Sequence, residues 1–135
     1  MDALSAINYW AVLAAAVSAF VVGGLWYSPL LFGNAWLKET GLRKEQLDAG
    51  NPAVTFGVSF VLAALASFVF AMFLGPKPAF GFALAAGVMA GLCWVATSFG
   101  ISYLFERRSF RLFLINGGYH TVQYALIGAV LGLWH

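Results

Sequence analysis

Polar and apolar positions are sharply segregated along this chain. Its seven basic and five acidic residues bound four long uncharged stretches, Ala3–Leu37, Ala49–Pro76, Pro78–Phe105 and Leu112–His135. A helix needs about 20 mostly apolar residues to cross the hydrocarbon core of a bilayer, and each stretch is longer than that. The pattern therefore predicts an all-α integral membrane protein with four transmembrane helices in an up-down bundle.

Prolines and glycines set the predicted helix boundaries. Pro29 ends or kinks the first helix, and Pro52 suits the first turn of the second, with Asn51 as its N-cap. The run Gly75–Pro78 separates the second helix from the third. The predicted helices cover about residues 7–27, 52–74, 79–105 and 110–134, within a single transmembrane domain of residues 1–135.

The segment after the first helix is apolar and aromatic but too short to cross a membrane. It is broken by Gly33 and contains Trp36, so we predict a short interfacial segment there. A polar loop follows at residues 38–51, and its spacing of Leu42 and Leu47 favours a helical turn or two on the membrane surface.

The basic residues are distributed unequally between the two sides of the predicted bundle. Six of them lie in loops 38–51 and 106–111, whereas the opposite side carries Lys77. Cytoplasmic loops of membrane proteins are enriched in Lys and Arg. We therefore predict that loops 38–51 and 106–111 are cytoplasmic and that both termini lie outside.

Composition narrows the functional classes. Charged residues make up 9% of the chain, against roughly a quarter in soluble domains. The net charge of +2 is small and comes from the loops, so it does not indicate a nucleic-acid-binding protein. There is no phosphate-binding glycine loop, no histidine pair with metal spacing and no nucleophile beside a base. The sequence thus predicts a protein that is not an enzyme and has no catalytic residue, no metal and no cofactor.

Small residues recur at four-residue spacing on three of the predicted helices, a pattern that lets helix backbones approach closely in lipid. The stripes are Ala11, Ala15, Ala19 and Gly23 on the first helix; Ala83, Gly87 and Gly91 on the third; and Gly117, Thr121, Ala125 and Ala129 on the fourth, beside Gly128 and Gly132. They favour tight packing within the chain, and one of them could also form a contact between subunits.

The fourth helix carries the candidate intramembrane polar site. Asn116, His120 and Gln123 follow the spacing i, i+4 and i+7, which places them on one face, and Tyr119 and Tyr124 flank that face. His120 lies about ten residues into the helix, roughly 15 Å deep. An ionisable residue at that depth is a candidate for proton or ion handling. The alternative is a neutral histidine that only fixes the packing of a neighbouring helix.

Two segments carry a resemblance to a known family. The string Gly-Gly-Leu-Trp-Tyr-Ser-Pro-Leu-Leu-Phe-Gly-Asn-Ala-Trp at residues 23–36 and the string Ile-Asn-Gly-Gly-Tyr-His at residues 115–120 are similar to the DUF1761 family of small bacterial membrane proteins. The resemblance implies four helices in a bacterial inner membrane and supplies no reaction. It draws attention to Asn116, to His120 and to the turn residues Trp26, Tyr27, Ser28, Pro29, Phe32 and Gly33.

These observations lead to two hypotheses for the function. The first is a homo-oligomeric channel-like or transporter-like subunit in the lipid bilayer, with a path for a small solute or ion between the end of helix one and the polar face of helix four. The second is a structural protein that binds a partner or anionic lipid through loop 38–51. The loop's acidic residues offset much of its attraction for anionic lipid.

Overall fold

The computed structural model describes residues 4–134, apart from the side chains of residues 44 and 48, and all regular structure in that range is helical. The prediction of an all-α fold is confirmed; residues 1–3 and 135 of the predicted single domain lie outside the described residues. The α-helices are α1 (Tyr9–Trp26), α2 (Gly33–Thr40), α3 (Lys44–Asp48), α4 (Pro52–Leu74), α5 (Phe80–Ala90), α6 (Thr97–Glu106) and α7 (Phe110–Leu133). A π-helical turn, Gly91–Ala96, joins α5 and α6 into one helix of 27 residues.

Polar side chains cap the starts of three long helices. The Asn8 side chain accepts a hydrogen bond from the backbone N–H of Ala11 at 3.1 Å. Asn51 caps α4 in the same way, with Pro52 in its first turn, and Ser109 caps α7. Such caps satisfy N–H groups that have no partner inside the helix. The helix starts are therefore fixed by local sequence.

The long helices alternate in direction. One cavity is lined by residues at the starts of α1 and α5 and at the ends of α4 and α7, namely Asn8, Pro78, Leu74 and Trp134. These four helix termini therefore lie at the same end of the bundle. Helix α7 is the central element, because it packs against α1, against the whole α5–π–α6 helix and against α2. Helix α4 packs mainly against α1. Its first eight residues, 52–59, are all exposed.

Glycines bring the backbones of α5 and α7 into direct contact. A Cβ atom added at Gly128 would collide with the carbonyl oxygen of Ala83, and one at Gly87 would collide with that of Tyr124. A Cβ atom at Gly91 would lie 2.6 Å from the Cα of Thr121. The stripes predicted on the third and fourth helices thus pack against each other within the chain. The first-helix alanines Ala11, Ala15 and Ala19 are fully buried.

Three helices are long and apolar enough to cross a membrane: Tyr9–Trp26, Pro52–Leu74 and Phe80–Glu106. The sequence predicted four; the remaining long helix, α7, is not in this set because its mean hydropathy is lower. With 24 residues α7 is long enough. Its hydropathy is lowered by the polar side chains of Asn116, His120 and Gln123.

Enlarging Gly128 tests the contact between α5 and α7. We expect Gly128→Ala to lower the free energy of unfolding in detergent by about 1–3 kcal/mol, because the added methyl group has no space beside the Ala83 carbonyl. The matched control is Gly57→Ala on α4, where no atom lies within 4 Å of the added Cβ. Alanine also has the higher helix propensity, so the control should be neutral or stabilising. Equal stability of the two variants would contradict the close contact.

Candidate functional site

The chain reverses direction at the end of α1 in a turn closed by backbone hydrogen bonds. The N–H of Phe32 donates to the carbonyl of Trp26, and the N–H of Gly33 donates to the carbonyl of Ser28, both at 2.9 Å. A Cβ atom at Gly33 would lie 2.8 Å from the carbonyl carbon of Ser28, so the turn requires glycine at this position. The Ser28 hydroxyl donates to the carbonyl of Leu25 at 2.7 Å. Pro29 stays exposed on the outside of the turn.

The turn is fastened to α7 by its aromatic residues. The indole N–H of Trp26 donates to the carbonyl of Ile115 at 2.9 Å. Gly118 lies under the same indole, where a Cβ atom would approach the ring to 3.1 Å. The Phe32 ring packs on Trp26 with centroids 4.8 Å apart. We call the segment of residues 26–33 the signature turn. It is remote from α7 in the sequence, and these contacts join the two into one structural unit.

Asn116 is the centre of a hydrogen-bonded triad that joins three helices. The Tyr27 hydroxyl donates to Asn116 Oδ1 at 2.6 Å, and Asn116 Nδ2 donates to the hydroxyl of Tyr103 on α6, also at 2.6 Å. Tyr27 follows the last residue of α1, and burial, with smaller contributions from Tyr119 and Tyr103, raises the pKa of its phenol. The phenol therefore stays protonated and remains a hydrogen-bond donor at neutral pH.

His120 lies one turn further along α7. Its Nδ1 is 2.6 Å from Oε1 of Gln123, a buried side chain on the same helix. On the other side, the His120 ring stacks on Phe99 of α6, with centroids 5.0 Å apart and planes 13° apart. The edge of Tyr119 packs against the same imidazole at 4.9 Å. One amide and two aromatic rings thus hold the imidazole in place.

The structure brings together four of the five residues predicted for the polar site. His120 contacts both Gln123 and Tyr119, and Tyr119 is joined to Asn116 through Tyr27, which packs against the Tyr119 ring and donates to Asn116. The Tyr119 hydroxyl also donates to the carbonyl of Ala19 on α1 at 3.1 Å. Tyr124 lies apart from them, because its ring packs on Phe70 of α4.

The sequence analysis missed the side of the site that α6 provides. Phe99 and Tyr103 are four residues apart, as are the residues they contact, His120 and Asn116. The two pairs therefore face each other in register along adjacent helices. The four-residue spacing of each pair was visible in the sequence, but spacing within one helix does not identify the helix that it faces.

A polar clasp also joins loops 38–51 and 106–111 at this end of the bundle. The Ser109 hydroxyl donates to the Glu39 carboxylate, and Arg111 lies 3.9 Å from the same carboxylate. Arg108 donates to the carbonyl of Thr40 at 3.5 Å and forms an exposed ion pair with Glu106 at the same distance. The clasp holds the end of α2 against the start of α7.

The site is a cluster of polar side chains without fixed charge. Its side chains are phenols, carboxamides and an imidazole, all of which exchange hydrogen bonds in their neutral forms. Of these side-chain types, imidazole is the strongest base. Among the described residues, no group of three His, Cys, Asp or Glu side chains could hold a metal ion. The arrangement can therefore bind a small polar solute or exchange a proton.

Comparison with known proteins gives one match. The model of a protein family of unknown function, DUF1761, matches residues 10–132. No curated protein and no solved structure matches the chain. The matched range includes both the signature turn and the triad around Asn116.

Removing the Asn116 side chain tests the triad. Asn116→Ala should lower the free energy of unfolding in detergent by about 1–3 kcal/mol, because it leaves the hydroxyls of Tyr27 and Tyr103 without their partner. Asn34→Ala is the matched control, since this asparagine is exposed on α2, and its effect should stay within about 0.5 kcal/mol. Equal stability of the two variants would show that the triad does not stabilise the bundle.

Proposed function

The chain belongs to the DUF1761 family, whose function is unknown, and on that premise we propose that it is a non-enzymatic, channel-like or transporter-like subunit of a homo-oligomer in the bacterial inner membrane. The observation that carries this proposal is the set of polar side chains on α7, Asn116, His120 and Gln123, enclosed by the aromatic residues of α1 and α6.

The proposal places α7 in the membrane as a fourth spanning helix. Its low hydropathy is compatible with this because α7 is central and exposes little surface to lipid. Of its 24 residues only Phe110, Arg111, Leu114 and Leu133 are exposed. Polar residues inside a membrane face the bundle interior or a water-filled cavity. Tyr27, which follows α1, and Phe99 and Tyr103 of α6 contact Asn116 and His120 of α7.

The orientation follows from the basic residues. Loops 38–51 and 106–111 carry six of the seven and would face the cytoplasm, so that both termini would lie outside. The signature turn and the clasp between Glu39 and Ser109 then lie at the cytoplasmic end. The polar site would open toward that side, next to the reversal of the chain after α1.

Helix α6 is the element that would control access to the site. It contributes Phe99 and Tyr103, yet none of its residues is buried. The π-helical turn Gly91–Ala96 separates it from α5, which is held tightly to α7. Single π-turns within α-helices occur frequently at functional sites. A small displacement of α6 about this turn would separate Tyr103 from Asn116 and uncover His120.

A path for a solute would need more than one copy of the chain. Four helices with α7 at their centre leave no open channel along the bundle axis. The cytoplasmic third of α4, residues 52–59, has no buried residue, and neither has α6. A second copy of the chain could pack against these two surfaces and enclose a path beside α6.

Proton flux in reconstituted vesicles tests the role of His120. We expect full-length protein in liposomes to conduct protons down a pH gradient, measured with an entrapped pH-sensitive dye, and His120→Ala to reduce the rate to that of protein-free vesicles. The reason is that, of the side-chain types in the site, imidazole is the best suited to accept and pass on a proton. Thr97→Ala is the control, because this exposed hydroxyl bonds within its own helix, to the carbonyl of Cys93. Equal flux with and without His120 would remove the residue from the mechanism.

A second candidate function rests on loop 38–51. The described side chains of α3 and its flanks are exposed, including Leu42 and Leu47. Glu39 is already engaged by Ser109 and Arg111. An exposed amphipathic segment of this kind could bind a partner protein or the membrane surface. On this hypothesis the bundle is a scaffold and needs no second copy.

The oligomeric state separates the two functions. Native mass spectrometry of the detergent-solubilised protein should give one defined oligomer if the chain is a channel-like subunit. A second measurement at a higher detergent-to-protein ratio controls for aggregates, whose mass distribution shifts with the ratio. A monomer under all conditions would exclude the shared path and favour partner recognition through loop 38–51.

A further inference from the structure

A cavity of about 160 Å³ lies at the end of the bundle opposite the signature turn. The start of α1, the end of α4, the loop Gly75–Pro78 and the end of α7 surround it. Neither the polar site on α7 nor loop 38–51 takes part in it. Whatever the cavity binds is therefore distinct from the solute of the proposed path.

The lining of the cavity is predominantly apolar. Its walls include Ile7, Ala71, Leu74, Leu131 and the indole of Trp134. An apolar cavity of about 150 Å³ in a protein core stays dry and accepts a molecule of the size of benzene. This cavity can therefore hold a ring or several methylene groups of a hydrocarbon chain.

The polar side chains at the cavity are hydrogen-bond donors. Lys77 is exposed and lines the cavity. The other six Lys and Arg residues lie in loops 38–51 and 106–111, at the opposite end of the bundle. Asn8 uses its carbonyl oxygen to cap α1, and its amide nitrogen donates to the carbonyl of Trp134 at 3.3 Å. The polar side chain at the cavity that remains available to a ligand is therefore the Lys77 ammonium group. A ligand that complements it carries a negatively charged head group.

The backbone fixes the position of Lys77. The residue lies between Pro76 and Pro78, which restrict the chain on both sides, and its φ angle is +49°. A lysine in the left-handed region is unusual, and such outliers cluster at functional sites. The loop thus places Lys77 among the residues that line the cavity.

The location of the cavity limits the ligand further. Helices α1, α4 and α5–α6 are long enough to span a bilayer, and in the membrane position proposed above the ends of these helices would lie near its surface. The head groups of lipids lie at this level and their chains begin there. We propose that the cavity binds an anionic lipid, with its phosphate or carboxylate head on Lys77 and the first part of its chain against Trp134 and Leu131.

Quenching of Trp134 by brominated lipids tests the proposal. Full-length protein is reconstituted in phosphatidylcholine vesicles that contain a small fraction of lipid brominated near the head-group end of the chain. The brominated lipid is phosphatidylglycerol, a fatty acid or phosphatidylcholine in separate samples. The same measurements on Trp134→Phe give the signal of the other tryptophans, which is subtracted. We expect stronger quenching of Trp134 by an anionic lipid than by phosphatidylcholine.

The two anionic lipids distinguish the source of the ligand. Quenching by phosphatidylglycerol identifies a phospholipid head group, and quenching by the fatty acid alone identifies a free carboxylate. Lys77→Gln should reduce the preference for the anionic lipid by about fivefold, the contribution of one surface lysine. Lys77→Arg should retain it, and so should Lys38→Gln, which removes an exposed lysine at the other end of the bundle.

Two results would overturn the proposal. One is equal quenching of Trp134 by anionic lipid and phosphatidylcholine in the unmodified protein. The other is a preference for anionic lipid that persists in Lys77→Gln. Elution of each variant at the volume of the unmodified protein in size-exclusion chromatography confirms that the comparison is made on folded protein. Both results are independent of proton flux, so the lipid site and the proposed path can fail separately.

Discussion

The direct backbone contact between α5 and α7 is the constraint on which the rest of the bundle depends. Two helix backbones can come into contact only where small residues leave space between them, and close packing of this kind is how apolar helices associate in lipid. Here Gly87, Gly91 and Gly128 bring the two backbones together. The contact fixes the rotation of α7 about its axis. It thereby determines which side chains of α7 face α1, α4 and α6.

That rotation explains why the polar residues of α7 can lie inside an apolar bundle. A polar group without a hydrogen-bond partner is costly in a medium of low dielectric constant. Asn116 finds its partners in Tyr27 and Tyr103, and His120 finds one in Gln123. No fully buried side-chain nitrogen or oxygen among the described residues lacks a hydrogen bond. The low hydropathy of α7 thus reflects its central position and the partners around it.

The two ends of the bundle differ in construction. At the end with the signature turn, aromatic rings and the clasp at Glu39 tie α2 to α7, while the outer surfaces of α4 and α6 remain free. At the opposite end, the helices converge around an apolar cavity beneath Lys77. The tight α5–α7 contact lies between them. A movement of α6 about the π-turn would therefore leave the cavity unchanged, and the two proposed sites can act independently.

The sequence by itself determined the features that arise within one helix or one turn. The uncharged stretches give the long helices, Asn51 and Pro52 start α4, and the spacing of Asn116 and His120 puts them on one face, because helix geometry is local. Only the tertiary structure decided that Phe99 and Tyr103 complete the site and that Tyr124 lies outside it. Periodicity defines the faces of a helix but not the neighbour that each face meets. Mean hydropathy likewise cannot distinguish polar residues that face lipid from those sheltered by other helices.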